Sequence, residues 1–571
     1  MTRTIKQLLF GILLSLLIIV IAYLTSPLFR TTPIKIELNQ NKISTLVVAH
    51  HDLVKHERSR IFREVAAKEK YRDVILVSPD HFNSGINSIS TTNKTWHLTN
   101  SIILPDSDKI NQLEKNLVTN QESAFEREHG ITNILNDIST NFPDANIIPL
   151  IIKANTENDK IQKLNENLIK ICPSNCLMIN SIDFSHYQTG TLAEIHDSLS
   201  LRALENLDEK LAWQSETDSP QALTLATFWA KSNSTMNFHL GYHSNSAEIF
   251  QEPDSESTSY ILGWYEERQQ RSTNEISFMF AGDAMFGRGV YYKFPKLEKA
   301  FENLGDRFFW GTDVSMLNLE GPISKQNIFP NPAPDNLIFN FPPQTISVLK
   351  WLHINTVGLA NNHTLNQGMS GFNNTIQLLK TNKINSIGNP GCDNDASLQT
   401  FASGKKKMSI IAINALECSS NIDEMIRSQK NLSNYVIIFV HWGNEYEKTH
   451  SITQERFARL WINHGADLII GTHPHTIQDA EIYEGKPIFY SIGNFIFDQT
   501  FSENTQKGLV ITGLVSDNKI ILVPIPISLK NMQPVVIRGQ EKLGIINEVK
   551  KQMGLDTSES GYGYDKIDMG I

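Results

Sequence analysis

Cysteine is scarce, with four in 571 residues. That excludes a disulfide-dense secreted scaffold, so the fold must rest on hydrophobic cores rather than covalent staples. Cys172 and Cys176 could close a local disulfide in an oxidising compartment or remain thiols. A zinc site is the sharper alternative, but no second Cys or His pair lies near them in sequence. Positive charge is also in deficit: 51 Lys and Arg against 61 Asp and Glu leave a formal net charge of −10. This argues against a nucleic-acid partner, which calls for a basic face. Binding a polyanion would need a locally held cation. Low-complexity tracts are missing too, and 40% hydrophobic with 20% charged residues is a globular composition. A chain of this length accommodates about two to four domains.

Long apolar runs are confined to the N-terminus. Arg3 and Lys6 precede an uncharged stretch, Gln7–Phe29, whose core Leu8–Leu24 is almost wholly apolar. About 20 such residues span a bilayer, and basic residues before them favour a cytoplasmic N-terminus. The expectation is a single-pass protein of the cell membrane, anchored by residues 1–30 with its bulk extracytoplasmic. A cleaved signal peptide is the alternative; Tyr23 and Leu24 stand where a cleavage site would have small residues.

After a polar spacer, Thr31–Lys42, runs of strand length begin: Ser44–Ala49, Asp73–Val77, Asn146–Ile152 and Leu177–Ser181. Segments of helical period, such as Arg58–Lys70 and Thr156–Ile171, separate them. This alternation predicts an α/β domain over 43–267. The strand ends are polar: His50-His51-Asp52, Asp80-His81 and Asp183-Phe184-Ser185-His186, with Glu128-His129 in a further polar loop.

With Ser78-Pro79-Asp80-His81, Asn180–His186, His243-Ser-Asn and Tyr260-Ile-Leu-Gly-Trp in order, Ser44–Tyr265 resembles the Memo-like family (AmmeMemoRadiSam system protein B). That family is related in fold to the non-haem-iron extradiol dioxygenases. The resemblance implies a site on His51, His81, Asp183 and His186. The family's cysteine falls on Glu216, which would then be a replacement ligand. Two histidines with a carboxylate suit Fe(II). The alternative is a scaffold that merely keeps leftover polar residues.

Glu266–Asn274 is polar and lacks apolar periodicity, which places a domain boundary there. A second α/β domain is expected over 275–530. Strand after strand in it ends in a group able to bind a divalent cation: Asp283, Glu320, Asn362, His441, His473 and His475. Ligands collect at the carboxyl ends of parallel strands, and a mixed oxygen and imidazole set suits Mn, Zn, Fe or Mg. Taken singly, an Asp after a strand is more often a helix cap and a His a core residue. The ordered set is what carries the metal reading. Gly443, Gly471 and Gly493 read as turn residues. The polar stretch 531–571, ending in Gly-Tyr-Gly-Tyr, reads as a loose tail.

The motifs Gly282-Asp283, Asn318-Leu-Glu320-Gly321, Ala360-Asn361-Asn362-His363, His441-Trp442-Gly443, Gly471-Thr-His473-Pro-His475 and Ser491-Ile-Gly493-Asn494-Phe495 resemble the CapA/PgsA family, associated with capsule and poly-γ-glutamate synthesis. The resemblance covers Ile276–Ile527. It implies a calcineurin-like metallophosphoesterase fold with Asp283 and His475 on one ion, Asn362, His441 and His473 on the other, and Glu320 bridging. His363 would be the general acid, and Arg288 would meet an anionic substrate unless a salt bridge occupies it. The phosphoesterase Asp-x-His reads Asp283-Ala284-Met285 here, so one imidazole is missing.

The expected architecture is therefore α/β: an N-terminal transmembrane helix followed by two α/β domains, the second a metallophosphoesterase-type sandwich. Two functions stay open. One is a metal-dependent hydrolase or transferase for capsule or poly-γ-glutamate production. The other is a non-catalytic component that grips a cell-envelope polymer or a capsule synthase complex.

Overall fold

The computed structural model describes residues 42–570 apart from 115–116, 269–272, 326–336, 391–396, 418–421, 433–434 and 518. The apolar run Asp73–Pro79 shows how the first half is built. All seven residues are buried. Because side chains alternate across a strand, Ile75 and Val77 enter one core and Val74 and Leu76 another. Strands buried on both faces read as continuous apolar runs rather than as alternations. Its neighbours Cys176–Ser181 and Asn146–Ile152 run parallel to it, and Ile43–Val48 runs parallel to Cys176–Ser181. Ser257–Glu266 and Asn237–Asn245 add an antiparallel edge. The helix Lys55–Lys68 covers one face; Asn158–Ile171 and Pro220–Ser232 cover the other.

The second half stacks two sheets. In the first, Asn385–Ile387, Thr356–Gly358, Val314–Leu319 and Ile276–Ala284 are parallel, and Lys507–Val515 and Lys519–Lys530 continue it antiparallel. In the second, Lys406–Asn414, Tyr435–His441 and Leu468–Thr472 are parallel neighbours. Their inner faces share one core, with Phe278, Phe280 and Met316 from one sheet against Met408, Ile437, Phe439 and Ile470 from the other. Helices Asp423–Leu432 and Ile452–Asn463 close the outer face of the second sheet, where Ile426, Ala458 and Trp461 join its core.

The two halves meet along the helix Gly190–Asn206. Leu192 belongs to the same core as Met279, Ala281 and Phe286. Arg202 donates to Asp313 Oδ2 at 2.6 Å and to the Glu275 carbonyl at 2.7 Å. Gly311, at φ +82°, lets its loop lie against His196 and Glu216: a Cβ there would stand 3.1 Å and 3.2 Å from their Cβ atoms. Residues 43–571 accordingly form one unit by their contacts.

Two expectations are corrected, the membrane anchor and the loose tail. Among the described residues no helix is long and apolar enough to cross a membrane. The expected span and its spacer, 1–41, lie outside the described residues. The transmembrane helix and the single-pass membrane location are therefore withdrawn. The C-terminal stretch is not loose: Ile567–Gly570 pairs with Lys519–Lys530, and Tyr562 Oη donates to Glu194 Oε1 at 2.6 Å. Its polarity is that of a seam rather than of a solvated end. Cys172 and Cys176 form a disulfide, one of the readings their spacing left open.

Candidate metal centres

In the second half, the strand Ile276–Ala284 delivers Asp283 to the sheet rim. Its register with Val314–Leu319 slips between Ala281 and Asp283, and such a bulge re-aims the side chain that follows. Gly282 is required there, because a Cβ would fall 1.9 Å from the Gly493 carbonyl oxygen. Glu320 follows the next strand, Asn361–His363 the third, and His441 ends a strand of the facing sheet. His473 and His475 lie just past Leu468–Thr472, both in the left-handed region at φ +95° and +57°. Non-glycine residues there mark an over-determined backbone.

These side chains converge. His475 Nδ1 lies 3.3 Å from Asp283 Oδ2, and its Nε2 lies 3.6 Å from Glu320 Oε1. One ligand atom from each of Glu320, His473 and His475 lies within 4.8 Å of the others. The His473 ring is 4.7 Å from that of His441, whose Nε2 is 2.9 Å from Asn362 Oδ1. His363 Nε2 stands 3.9 Å from Glu320 Oε1. Its Nδ1 is 2.9 Å from Asn366 Oδ1, and its ring stacks on Phe339 at 4.0 Å. Arg288 is engaged with the Asp498 carboxylate and lies over Phe339 at 4.7 Å. It thus braces the ring under His363 instead of reaching outward.

Electrostatics mark a site short of positive charge. Burial pushes the Glu320 carboxyl well above the usual range, with the His475 charge opposing it. Burial lowers His475, but Glu320 and Asp283 outweigh it and push the imidazole up to about 9. Burial, helped by His475, takes His473 down to about 4. Burial also holds His441 well below and His363 below the usual imidazole range. Both Glu320 oxygens and His473 Nδ1 are buried without a hydrogen-bond partner. Orphaned polar atoms are costly unless something binds them, and a divalent cation fits this donor set. Met285 gives no imidazole: it is buried, and its sulfur accepts from Gly287 N at 3.1 Å.

The first half gathers a second group at the carboxyl ends of three of its four adjacent parallel strands, Ile43–Val48, Cys176–Ser181 and Asp73–Pro79. His50 Nε2 lies 3.2 Å from Asp183 Oδ2 and 3.4 Å from Asp218 Oδ2. His81 Nε2 is 3.5 Å from the same Asp218 oxygen, and its Nδ1 is 2.6 Å from Glu128 Oε1. The His129 ring lies 4.0 Å from that of His81. Two carboxylates share this site, and their affinities for protons are driven apart. Burial and the Asp218 charge push Asp183 up to about 7. Burial opposes ionisation of Asp218 too, but the His81 hydrogen bond and the His50 charge hold it low. Burial likewise disfavours the charged form of His81, yet Asp218 and Glu128 push it up to about 10.

Three first-half expectations change position. His51 is exposed and accepts from Leu53 N at 3.2 Å, so the buried neighbour His50 occupies the group in its place. His186 is held through its N–H to Glu216 Oε1 at 2.9 Å, with Nδ1 buried and unpartnered. Glu216 is already occupied, by His196 Nδ1 at 3.0 Å and Arg307 at 3.1 Å. Burial alone would raise its carboxyl, but His196 and Arg307 hold it at about 2. It is a buried anion already matched by His196 and Arg307. Sequence reasoning missed Asp218, whose place before Ser219-Pro220 reads as a helix start, and Asn318, which donates to Asp283 Oδ1 at 2.7 Å.

Residues 277–499 match the family described as bacterial capsule synthesis protein PGA_cap, and residues 23–223 match the Memo-like protein family. The capsule biosynthesis protein CapA of Bacillus anthracis is 26% identical over 52% of this chain and 78% of its own length. The PGA biosynthesis protein CapA of Bacillus subtilis is 26% identical over 49% of this chain and 79% of its own. A MEMO1 family protein of Methanosarcina barkeri is 26% identical over 30% of this chain and 66% of its own. The chain thus joins a first half that matches the Memo-like family to a second half that matches the bacterial capsule synthesis family PGA_cap.

Proposed function

We propose that this protein serves capsule or polyglutamate biosynthesis through a metal-dependent hydrolytic or transfer reaction at the second-half rim. The relatives' names support the biosynthetic role. The chemical reading rests on one observation: Glu320 has two buried, unpartnered oxygens facing His475 and His473.

Asp283, Glu320 and His475 would hold one ion, and Asn362, His441 and His473 a second. Such ions, Mn, Zn, Fe or Mg, supply Lewis-acid polarisation of a phosphoryl or carboxyl oxygen. The chain's own residues do the rest. Asn366 accepts from His363 Nδ1, which leaves Nε2 on the Glu320 side to take up and return a proton. Phe339, clamped by Arg288, keeps that ring in one plane. Asn318 fixes the Asp283 carboxylate, and Asn494 Oδ1, 3.0 Å away, fixes His475 Nδ1. In the first half, His50, His81, Asp183 and Asp218 would hold a further ion in a site suited to Fe(II).

A second reading, a binding component for a polymer or a synthase complex, draws on Met285, which withholds a nitrogen ligand. Elemental analysis and turnover separate the two. Bound metal that falls in His473→Ala, together with phosphodiester hydrolysis abolished in His363→Ala, supports the enzyme. Stoichiometric metal with no turnover on phosphate esters or polymer supports the binding component. A metal-free protein that takes up none on dialysis against Mn or Zn overturns both.

A further inference from the structure

The group around His50 lies at the carboxyl ends of the first-half strands; a different cluster lies where two of those strands begin. Asp73 and Cys176 open neighbouring parallel strands and stand level as direct partners. Asp73 shares its strand face with Ile75 and Val77, whose core Cys172 and Cys176 join. Cys172 caps the end of the helix Asn158–Ile171 and is bonded to Cys176. Cys176 Sγ is 4.0 Å from Asp73 Oδ2, and one ligand atom from each of Asp73, Cys172 and Cys176 lies within 4.8 Å of the others.

As a staple this disulfide is weak. A cross-link restrains the unfolded chain more the longer the loop it closes, and here the separation is only four residues. It also leaves its neighbour without a partner. Asp73 is 2% exposed, and its Oδ1 is buried with no hydrogen bond. Its Oδ2 takes the Lys109 ammonium at 2.6 Å, which Asp106 shares at 2.6 Å. Two bridged sulfurs have no proton to donate, and an orphaned buried oxygen is costly.

Reduction changes this. Two electrons and two protons from a dithiol, itself oxidised to a disulfide, break the S–S bond and leave two thiols. A divalent cation that displaces both thiol protons sets two positive charges against two thiolates. The net charge of the cluster is then the same in the disulfide and in the metal form. Zinc bonds of about 2.0–2.3 Å hold two ligands of one ion roughly 4 Å apart or less, close to the spacing of Cys176 Sγ and Asp73 Oδ2. Two thiolates with one carboxylate suit zinc. The intervening Pro173, Ser174 and Asn175 are exposed, which gives a reductant and an ion access from solvent.

We propose that Cys172, Cys176 and Asp73 form a redox-gated zinc site, closed as a disulfide under oxidising conditions and taking up one ion when a dithiol opens it. The Asp73 carboxylate then gains the partner its Oδ1 lacks, while Lys109 stays on Oδ2. Water takes the fourth tetrahedral position.

The test uses Co(II) as the probe, on the full chain carrying Cys392→Ser and Cys418→Ser, which leaves Cys172 and Cys176 as its only cysteines. The His50 and His475 groups contain no thiol, so a sulfur-to-cobalt charge-transfer band in the near ultraviolet reports this site alone. After reduction with a phosphine the band should saturate at one equivalent of cobalt and be bleached by zinc; the oxidised chain should show none. Asp73→Asn should weaken cobalt binding about tenfold or more while two thiols still titrate, and Cys172→Ser should abolish the band. A disulfide that resists reduction in the folded chain would overturn the proposal. So would a reduced chain with two free thiols and no band, or undiminished cobalt affinity in Asp73→Asn.

Discussion

His475 Nε2 faces Glu320 Oε1 at 3.6 Å, while the opposite nitrogen of the same ring faces Asp283 Oδ2 at 3.3 Å. One imidazole therefore separates two fully buried carboxylates. This is the charge deficit on which the metal reading depends.

Replacing Glu320 tests that deficit directly. Ligand binding to the folded state adds about 2.7 kcal/mol at a hundredfold excess over Kd, so Mn or Zn should raise the Tm of the native protein. In Glu320→Gln the metal-free Tm should hold or rise, because a neutral amide removes a buried ionisable group. The metal-dependent increment should shrink, leaving only what the first-half group and the remaining second-half ligands contribute. Scanning calorimetry with and without metal reads both effects.

Glu216 gives a pH prediction with a definite sign. Its folded pKa of about 2 lies below the ordinary 4.5. Its pairing with His196 and Arg307 should therefore stabilise the fold fully above the ordinary value, and the benefit should be lost as pH falls toward 2. The difference corresponds to roughly 3 kcal/mol at neutral pH. Urea unfolding of the native protein and Glu216→Gln should diverge near pH 7, draw together as pH falls below 4.5 and converge only at about pH 2 or below. Parallel curves would contradict the pairing.

Gly471 is a matter of close approach rather than of turn conformation. A Cβ there would fall 1.9 Å from the Tyr490 carbonyl oxygen and 2.5 Å from Trp442 Nε1. Gly471→Ala should cost about 1–3 kcal/mol or more and displace the loop bearing His473 and His475. Loss of metal together with lower stability is the expected signature, whereas Gly485→Ala, with open space around it but φ +73°, should leave metal content unchanged.

The C-terminal seam makes a further prediction. Asp565 and Lys542 are both buried, their charges 2.7 Å apart, and Asp565 also accepts from Thr191 of the first half at 2.9 Å. Removing one partner of a buried pair costs about 3–5 kcal/mol. Asp565→Ala should approach the lower figure, because Asp254 still meets Lys542 at 2.8 Å. A loose C-terminal tail would show no change in chemical denaturation.

Much of the second-half site was legible in the chain because parallel strands end at a common edge: apolar runs stopping at Asp283, Glu320, Asn362, His441 and His473 needed only a shared sheet direction to bring their ends together. Sequence also determined the α/β alternation and both family resemblances. Tertiary structure alone decided between His50 and His51, since neighbours leaving a strand diverge and one of them caps the next turn. It brought in Asp218 from a helix start that carries no strand-end signal, and it matched Glu216 with Arg307 from the other half, 91 residues away. The polar C-terminus looked solvated for the same reason: its partners, Glu194, Thr191 and Asn245, lie more than 300 residues upstream. Local pattern fixes which face a side chain takes, but the charge it meets there is set by contacts that no local pattern contains.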